Sequence, residues 1–518
     1  MEGTNISRRN FLHGAGVAAV SLAAASALAG CSPGEQGSSE KSSKPVAYTP
    51  DETVDYDIVV VGSGSSGVAA TVQAAELGAS VLLLEKEFKT GGNGRMTEGM
   101  FGSASSFQKK EGIDITFREV IATEQEFFNY RINNLLWKDM VEASGENIDW
   151  MISHGVKFSG VVDNYYGLGK MNAFHWFEGP GDGSNYIDPM IAAAESMGAV
   201  VMTSTPAVDL LIEGDTVKGL YAEKEGGGIL LVNAKAVILT SGGYANNSNI
   251  MMERGYDLTY SINNGVPGHD GDGLRMAISA GANDVSRQRC FLREPYSFGI
   301  DFFAPMTQNI HRGGPVLWVN QEAERYVSEA AGAVAPGCNS NAVHSQAKSY
   351  LIMSQDVVDS IVSSSGYKDL QKDMDDAVSQ NPAENIFKAD SIEELAKMQG
   401  LDSTALKATV NRYNELCAGG LDEDFNKPAE LMVALKTAPY YIFRQDLAFW
   451  TSIGGIDTNR NMQAVNELGE PIPGLYSAGT DGCNLYRETY TMNVPASCNA
   501  NNCHSGRLAA KNAVAAYS

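Results

Sequence analysis

The stretch DYDIVVVGSGSSGVAATVQAAELGASVLLLEK, residues 55–86, decides the fold. Ile58 to Val61 is an uncharged, β-branched run, the composition of a strand buried on both faces. It enters Gly62-x-Gly64-x-x-Gly67, then a helix carrying Ala69, Ala70, Ala74, Ala75 and Leu77, then a second strand, Val81 to Leu84. Gly62 permits the tight turn, Gly64 lets the backbone approach a pyrophosphate, and Gly67 lets helix and strand pack closely. The first-turn amides of that helix, around Ser66, then face the phosphates. Glu85 ends the second strand eighteen positions past Gly67, where a carboxylate can bind ribose hydroxyls. A glycine triplet alone is weak evidence. Strand, triplet, helix, strand and terminal acid together predict a Rossmann-like dinucleotide cradle in an α/β chain.

The residues after Glu85 choose between NAD and FAD. LEKEFKTGGNGRMTEGMFGS (84–103) resembles the flavoprotein stretch in which a Gly-Gly-Asn loop wraps adenosine and pyrophosphate. Further features of the same kind follow in order. AKAVILTSGGYANN (234–247) runs a strand into Gly242-Gly243, GHDGDGLRMAISAGA (268–282) sets Asp272 between glycines before a helix, and GLYSAGTDG (474–482) follows a late strand. On these motifs residues 53–518 resemble the fumarate reductase flavoprotein family, which includes urocanate reductases and 3-ketosteroid dehydrogenases. The resemblance implies FAD, held by Gly62, Gly64, Ser66, Gly67, Glu85, Lys86, Gly92, Asn93, Gly94, Gly242, Gly243, Asp272, Gly479 and Ser497. It also implies a two-part FAD domain, 53–289 and 440–518, with an inserted α+β capping domain at 290–439 that closes over the flavin.

Outside that region lie a segment read as an export signal, 1–31, and a tether, 32–52. SRRNFLHGAG places Arg8 and Arg9 ahead of a short, Ala-rich apolar run, which resembles a twin-arginine signal for proteins exported already folded. Loading FAD before export would explain such a route. Leu28-Ala29-Gly30-Cys31 resembles a lipoprotein cleavage box, implying a lipid on Cys31 that anchors the protein to the outer face of the cell membrane. The Ser/Gly/Pro-rich residues that follow cannot bury a core and read as a flexible tether.

Composition narrows the function. With 518 residues the chain is long enough for two sizeable cores, and 54 glycines suit turns and close approach to a ligand. A formal charge of −24 argues against nucleic acid and against an electrostatic grip on anionic lipid. The six cysteines beyond Cys31 form no recognisable disulfide ladder or zinc site, and Cys498-x-x-x-x-Cys503-His504 is too widely spaced for covalent haem. An iron–sulfur site would need about four thiolates, so inert buried thiols are the simpler expectation.

The resemblance also sets expectations for the substrate side. Fumarate-reducing members use a His-Pro near the insert's start, a Glu followed by an Arg, a further Arg as proton donor, and a His and an Arg near the C-terminus. This chain has Glu294-Pro295 at the first place, keeps Glu329 but has Ala333 after it, aligns Val358 with the donor, and reads NLYRETYTMNVPASCNANNCHSGR at the end. Losing those cations argues against a dicarboxylate, whose desolvated charges need fixed guanidinium partners. Arg325 and Glu329 are read equally as a domain-closing ion pair or as catalytic groups. Glu488-Thr489-Tyr490 resembles the His-Thr-Tyr of ketosteroid dehydrogenases, which makes Tyr490 the candidate to polarise or protonate a carbonyl substrate, with Arg487 orienting it and a nearby cation lowering the tyrosine pKa. Tyr165, Tyr166, His175 and Trp176 suit either an aromatic pocket wall or core.

The expected activity is FAD-dependent reduction of a small molecule's C=C bond conjugated to a carbonyl. Only one dinucleotide cradle is visible, so electrons are expected from a partner such as a multihaem cytochrome. A ketosteroid-like dehydrogenase is the alternative direction, and a flavin-carrying lipoprotein that only binds a ligand is the alternative class.

Overall fold

The computed structural model describes residues 48–518, apart from 257, 313, 336 and 382. The expected signal, Cys31 and nearly all of the tether fall outside the described residues. Among the described residues no helix is long and apolar enough to cross a membrane.

The apolar runs that open the cradle become the centre of an eight-stranded sheet. Its main path runs Gln463–Val465, Pro471–Ser477, Ile229–Leu239, Glu52–Val61, Val81–Leu84 and Val200–Met202. The hairpin Ala207–Glu213 and Thr216–Glu223 extends it from Ile229–Leu239. Glu52–Val61 lies parallel to both neighbours, with Ile58 opposite Val81 on one side and Ala236 on the other. Side chains alternate across the sheet, so each strand feeds two cores. Ile58, Val60 and Leu83 pack under Ser65–Glu76 and the C-terminal helix Ser497–Ala515, while Val59, Val61 and Leu84 join the core on the other face. The two helices cross closely because Gly506 has no side chain: a Cβ there would lie 2.2 Å from the Ser66 carbonyl oxygen.

A second, six-stranded sheet is organised by one long strand, Tyr440–Ile453. Cys290–Tyr296, Ser349–Ser354 and Ile386–Ala389 pair antiparallel with it, and the short Ile262–Asn263 pairs parallel. Helices Gln355–Ser365, Leu370–Gln380, Ile392–Gln399 and Ser403–Gly419 supply its apolar cover. The sheet therefore runs past 439, the expected end of the insert, through the strand that leads back to Pro471–Ser477. A third sheet, Gly99–Phe101, Phe174–Phe177 and Phe158–Asp163, sits beside the first.

Candidate active site

The turn after Val61 has the shape that the glycine spacing demands. Gly62 takes φ +96°, and a Cβ there would stand 2.5 Å from the Thr240 carbonyl oxygen. At Gly67 a Cβ would fall 1.8 Å from the Gly62 carbonyl oxygen, so strand and helix touch through backbone alone. Gly64 differs: its φ is −66°, and nothing lies closer to its missing Cβ than the Gly91 oxygen at 3.9 Å. The helix Ser65–Glu76 starts there without a side-chain cap and without an acid in its first turn. Orphan first-turn amides facing open space at a bare glycine fit a diphosphate.

The remaining cradle residues gather around this turn. Glu85 accepts from the Ser63 amide at 2.9 Å and from the Ser63 hydroxyl, and its other oxygen accepts from the Glu87 amide at 2.9 Å. Lys86 pairs with Asp270 and, at 2.9 Å, with Asp272. Gly92, Asn93 and Gly94 open the short 3₁₀ helix Gly92–Met96, and the Asn93 amide bridges the Val266 N–H and the Trp450 carbonyl, both at 2.8 Å. Gly242 and Gly243 both take positive φ, and Gly479 packs on Ser66. Ser497 starts the C-terminal helix and shares a 2.7 Å hydrogen bond with the Tyr486 hydroxyl. The motif reading passed over two residues here. Asp481, deeply buried, accepts from the Ser241 amide and hydroxyl and, at 2.7 Å, from the Gly243 amide. His269 lies against Gly242. A buried carboxylate that clamps backbone amides, or a histidine ring laid against a glycine, leaves no spacing rule behind, so neither residue announces itself in sequence.

On the substrate side Tyr490 is buried, its ring set edge-on to Tyr486 at 5.3 Å, with Cys498, Tyr165, Cys290 and Cys483 around it. Burial pushes its pKa well above the ordinary tyrosine value. The expected cation that would lower it does not act on it. Arg487 instead stands half-buried near Arg289 and, among the described residues, has no hydrogen bond or ion pair. Tyr165 connects the tyrosines to a polar edge. Its hydroxyl donates to Glu98 at 2.7 Å, and it lies near Arg312, which pairs with Glu294 at 3.3 Å. Glu294 is half-buried, and desolvation raises its pKa despite the guanidinium. Tyr166 joins Tyr165 on Glu98 but is exposed. His175 is core: it bonds the Ser105 hydroxyl at 2.7 Å, and burial lowers its pKa to about 4.

Arg325 and Glu329 come together away from these groups. Arg325 donates two 2.9 Å hydrogen bonds to Glu329 and two more, 3.0 and 2.8 Å, to Asp422. Its guanidinium lies 4.9 Å from the rings of both Tyr413 and Phe425. Glu329 also accepts from the Trp318 amide and faces Lys427 at 3.4 Å. With all four charges buried and mutually satisfied, neither Arg325 nor Glu329 has a proton or charge to offer a ligand. Val358 is buried in the same apolar core and Ala333 is exposed, so neither position replaces the missing arginines. Cys503 and His504 lie within the C-terminal helix, and among the described residues no group of three or more His, Cys, Asp or Glu could hold a metal.

The family model described as an FAD binding domain matches residues 57–493. The chain belongs to the FAD-dependent fumarate reductase flavoprotein family. It is 31% identical to the vinyl phenol reductase of Lactiplantibacillus plantarum over 88% of this chain and 96% of that one. It is 30% identical to a fumarate reductase (cytochrome) of Shewanella frigidimarina over 84% of this chain and 73% of that one. The fold matches that of the 3-ketosteroid-Δ4-(5α)-dehydrogenase of Rhodococcus jostii RHA1, with a TM-score of 0.65 and 22% identity over 91% and 98% of the two chains. This member of the family is an FAD-dependent oxidoreductase acting on carbon–carbon double bonds. The open face at Gly64 and the uncapped helix are the features of this chain that fit the cofactor.

Proposed function

We propose that this flavoprotein saturates a C=C bond conjugated to a carbonyl, in a substrate that is aromatic or otherwise largely uncharged. One observation carries the reading: Tyr490 packs edge-on against Tyr486 with Tyr165 nearby, the charges beside them are half-buried Glu294 paired with the partly exposed Arg312, and Arg487 alone among the site's proposed groups has no hydrogen bond or ion pair among the described residues. A dicarboxylate brought against Glu294 would meet a like charge and, in Arg487, one uncommitted guanidinium for its two carboxylates, whereas a single carbonyl needs only one donor. Bound FAD supplies the hydride. The chain's own contribution is to orient the conjugated group against the tyrosine wall, exclude water, and donate a hydrogen bond or proton from the Tyr490 hydroxyl. The vinyl phenol reductase relative favours a second form of the same reading, a C=C bond conjugated to a phenol ring. The Tyr165–Glu98 pair offers a phenolic hydroxyl a matching polar edge.

The test is anaerobic oxidation of reduced viologen with a panel of aryl enoates, enones, vinyl phenols and fumarate. Turnover is expected on at least one aromatic substrate, with fumarate about a hundredfold or more poorer in kcat/KM, the scale of one uncompensated like-charge contact. Efficient fumarate reduction by the unmodified protein would overturn the reading.

The same proposal includes where the enzyme works. Arg8-Arg9 and the box ending at Cys31 support a twin-arginine-exported lipoprotein on the outer face of the cell membrane, and the cytochrome-type relative supports a haem-bearing electron donor there. Replacing both arginines by lysine is expected to leave FAD-loaded precursor in the cytoplasm, seen by fractionation. Normal export of that variant would make the general secretory route the better assignment.

A further inference from the structure

His269 is a histidine that nothing in the glycine motifs calls for, and its ring stands inside the cofactor cradle. Only 7% of the residue is exposed. Its Nε2 lies 2.7 Å from where a Cβ on Gly242 would be, which forbids any side chain at that glycine. The same nitrogen lies 3.8 Å from the Cβ position of Gly92, and the Gly64 Cα lies 3.8 Å from that position too. Gly64, Gly92 and Nε2 thus converge on one place, the open side of the phosphate turn. Among the described residues Nε2 has no hydrogen-bond partner.

The proton on the ring can be located from its neighbours. Asn93 Oδ1 accepts from the Val266 amide, so the other end of that side chain is its NH₂. One N–H of that group goes to the Trp450 carbonyl at 2.8 Å, and the second faces His269 Nδ1 at 3.4 Å. Nδ1 must then be an acceptor, and a neutral imidazole with an acceptor at Nδ1 carries its hydrogen on Nε2. Burial keeps the ring neutral, lowering its pKa to about 4, with Asp270 and Lys86 pulling in opposite directions. The backbone holds the ring in place, because the His269 carbonyl accepts from the Asn246 amide at 2.9 Å.

We propose that His269 is a cofactor-binding residue, its Nε2–H donating a hydrogen bond to the diphosphate of FAD. Asn93 is the positioning residue that fixes the tautomer. The proposal rests on the FAD assignment. A neutral donor aimed at a charged oxygen within a buried site belongs to the stronger class of hydrogen bonds.

The experiment compares holoprotein with His269→Ala and His269→Gln. It measures the FAD dissociation constant by flavin fluorescence and the ring tautomer by ¹⁵N NMR of histidine-labelled protein. Ala is expected to weaken FAD binding about tenfold to a hundredfold, the range for one hydrogen bond to a charged group. Gln, whose amide N–H can point the same way, is expected to recover most of that loss, and the wild-type spectrum to show the Nε2–H form. Unchanged affinity in the Ala variant would overturn the proposal, as would equal loss in Ala and Gln or an Nδ1–H tautomer. If neither variant folds, the wild-type tautomer still decides. Unmodified protein that takes up no FAD would overturn the cofactor assignment beneath the proposal.

Discussion

Gly64→Val is expected to yield a folded protein without FAD, whereas Gly67→Ala is expected to damage the fold itself. The two glycines sit three residues apart in one motif, yet the structure gives them different duties. At Gly64 the backbone is in an ordinary extended conformation that any residue adopts, and the nearest atom to an added Cβ is 3.9 Å away. The Cβ of a valine there makes only an ordinary van der Waals contact with the chain. It fills the space into which the uncapped amides of Ser65–Glu76 point, and a cofactor whose diphosphate must lie against that backbone is shut out. At Gly67 the added Cβ would overlap the Gly62 carbonyl at 1.8 Å and press on Thr240 Oγ1 at 2.9 Å. The helix can escape only by lifting off the strand, and overpacking of this kind costs about 1–3 kcal/mol or more. The ratio of flavin to protein absorbance, flavin released on heating, and the thermal midpoint separate the cases. Gly64→Val is expected at background flavin with the apoprotein's midpoint, and Gly67→Ala with a lowered midpoint. A yellow Gly64→Val protein would remove the diphosphate from this turn.

That contrast also marks how far the sequence could be read. Gly62, Gly64 and Gly67 were legible because a tight turn, a close ligand and a close helix each demand a missing side chain at a fixed spacing, all within six residues. The parallel strands on either side were legible for the same local reason, as uninterrupted apolar runs. Arg325 and Glu329 show the limit. Their i, i+4 spacing announces a pair, but their purpose depends on Asp422 and Lys427, about a hundred residues further on, which complete a buried network. The motifs make both Lys86 and Asp272 candidate cofactor ligands, and only the folded chain shows that they also pair with each other. By its place after the expected insert, Tyr440–Ile453 reads as the second part of the FAD domain. Strand pairing is a long-range property, and the strand proves to organise the second sheet. The resemblance at residues 488–490 pointed to Tyr490 but not to its electrostatics, because Cys290 and Tyr165, which lie around it in the fold, are two hundred residues or more away in the sequence.

Those electrostatics shape the last expected result, that Tyr490→Phe lowers turnover by about a hundredfold or more while FAD content and thermal midpoint stay where they were. A positioned acid is worth roughly that factor. The substitution removes one oxygen and keeps the ring that packs edge-on against Tyr486, so it tests the hydroxyl and not the wall. Burial raises the Tyr490 pKa well above the ordinary value of a phenol. The hydroxyl therefore stays protonated, a neutral donor, through the whole neutral and mildly alkaline range, and its deprotonation lies beyond it. It follows that the wild-type rate has no alkaline limb from Tyr490 between about pH 7 and pH 10. A tyrosine activated by a neighbouring cation would instead lose its proton within that window and show the limb. Measuring kcat/KM against pH for both proteins, on the best substrate of the viologen panel, reads both consequences at once. Full activity in Tyr490→Phe would pass the donor's role to another group on the same wall. Glu294 would be the next to replace, since its half-buried carboxyl has a raised pKa and lies beside Arg312 near Tyr165.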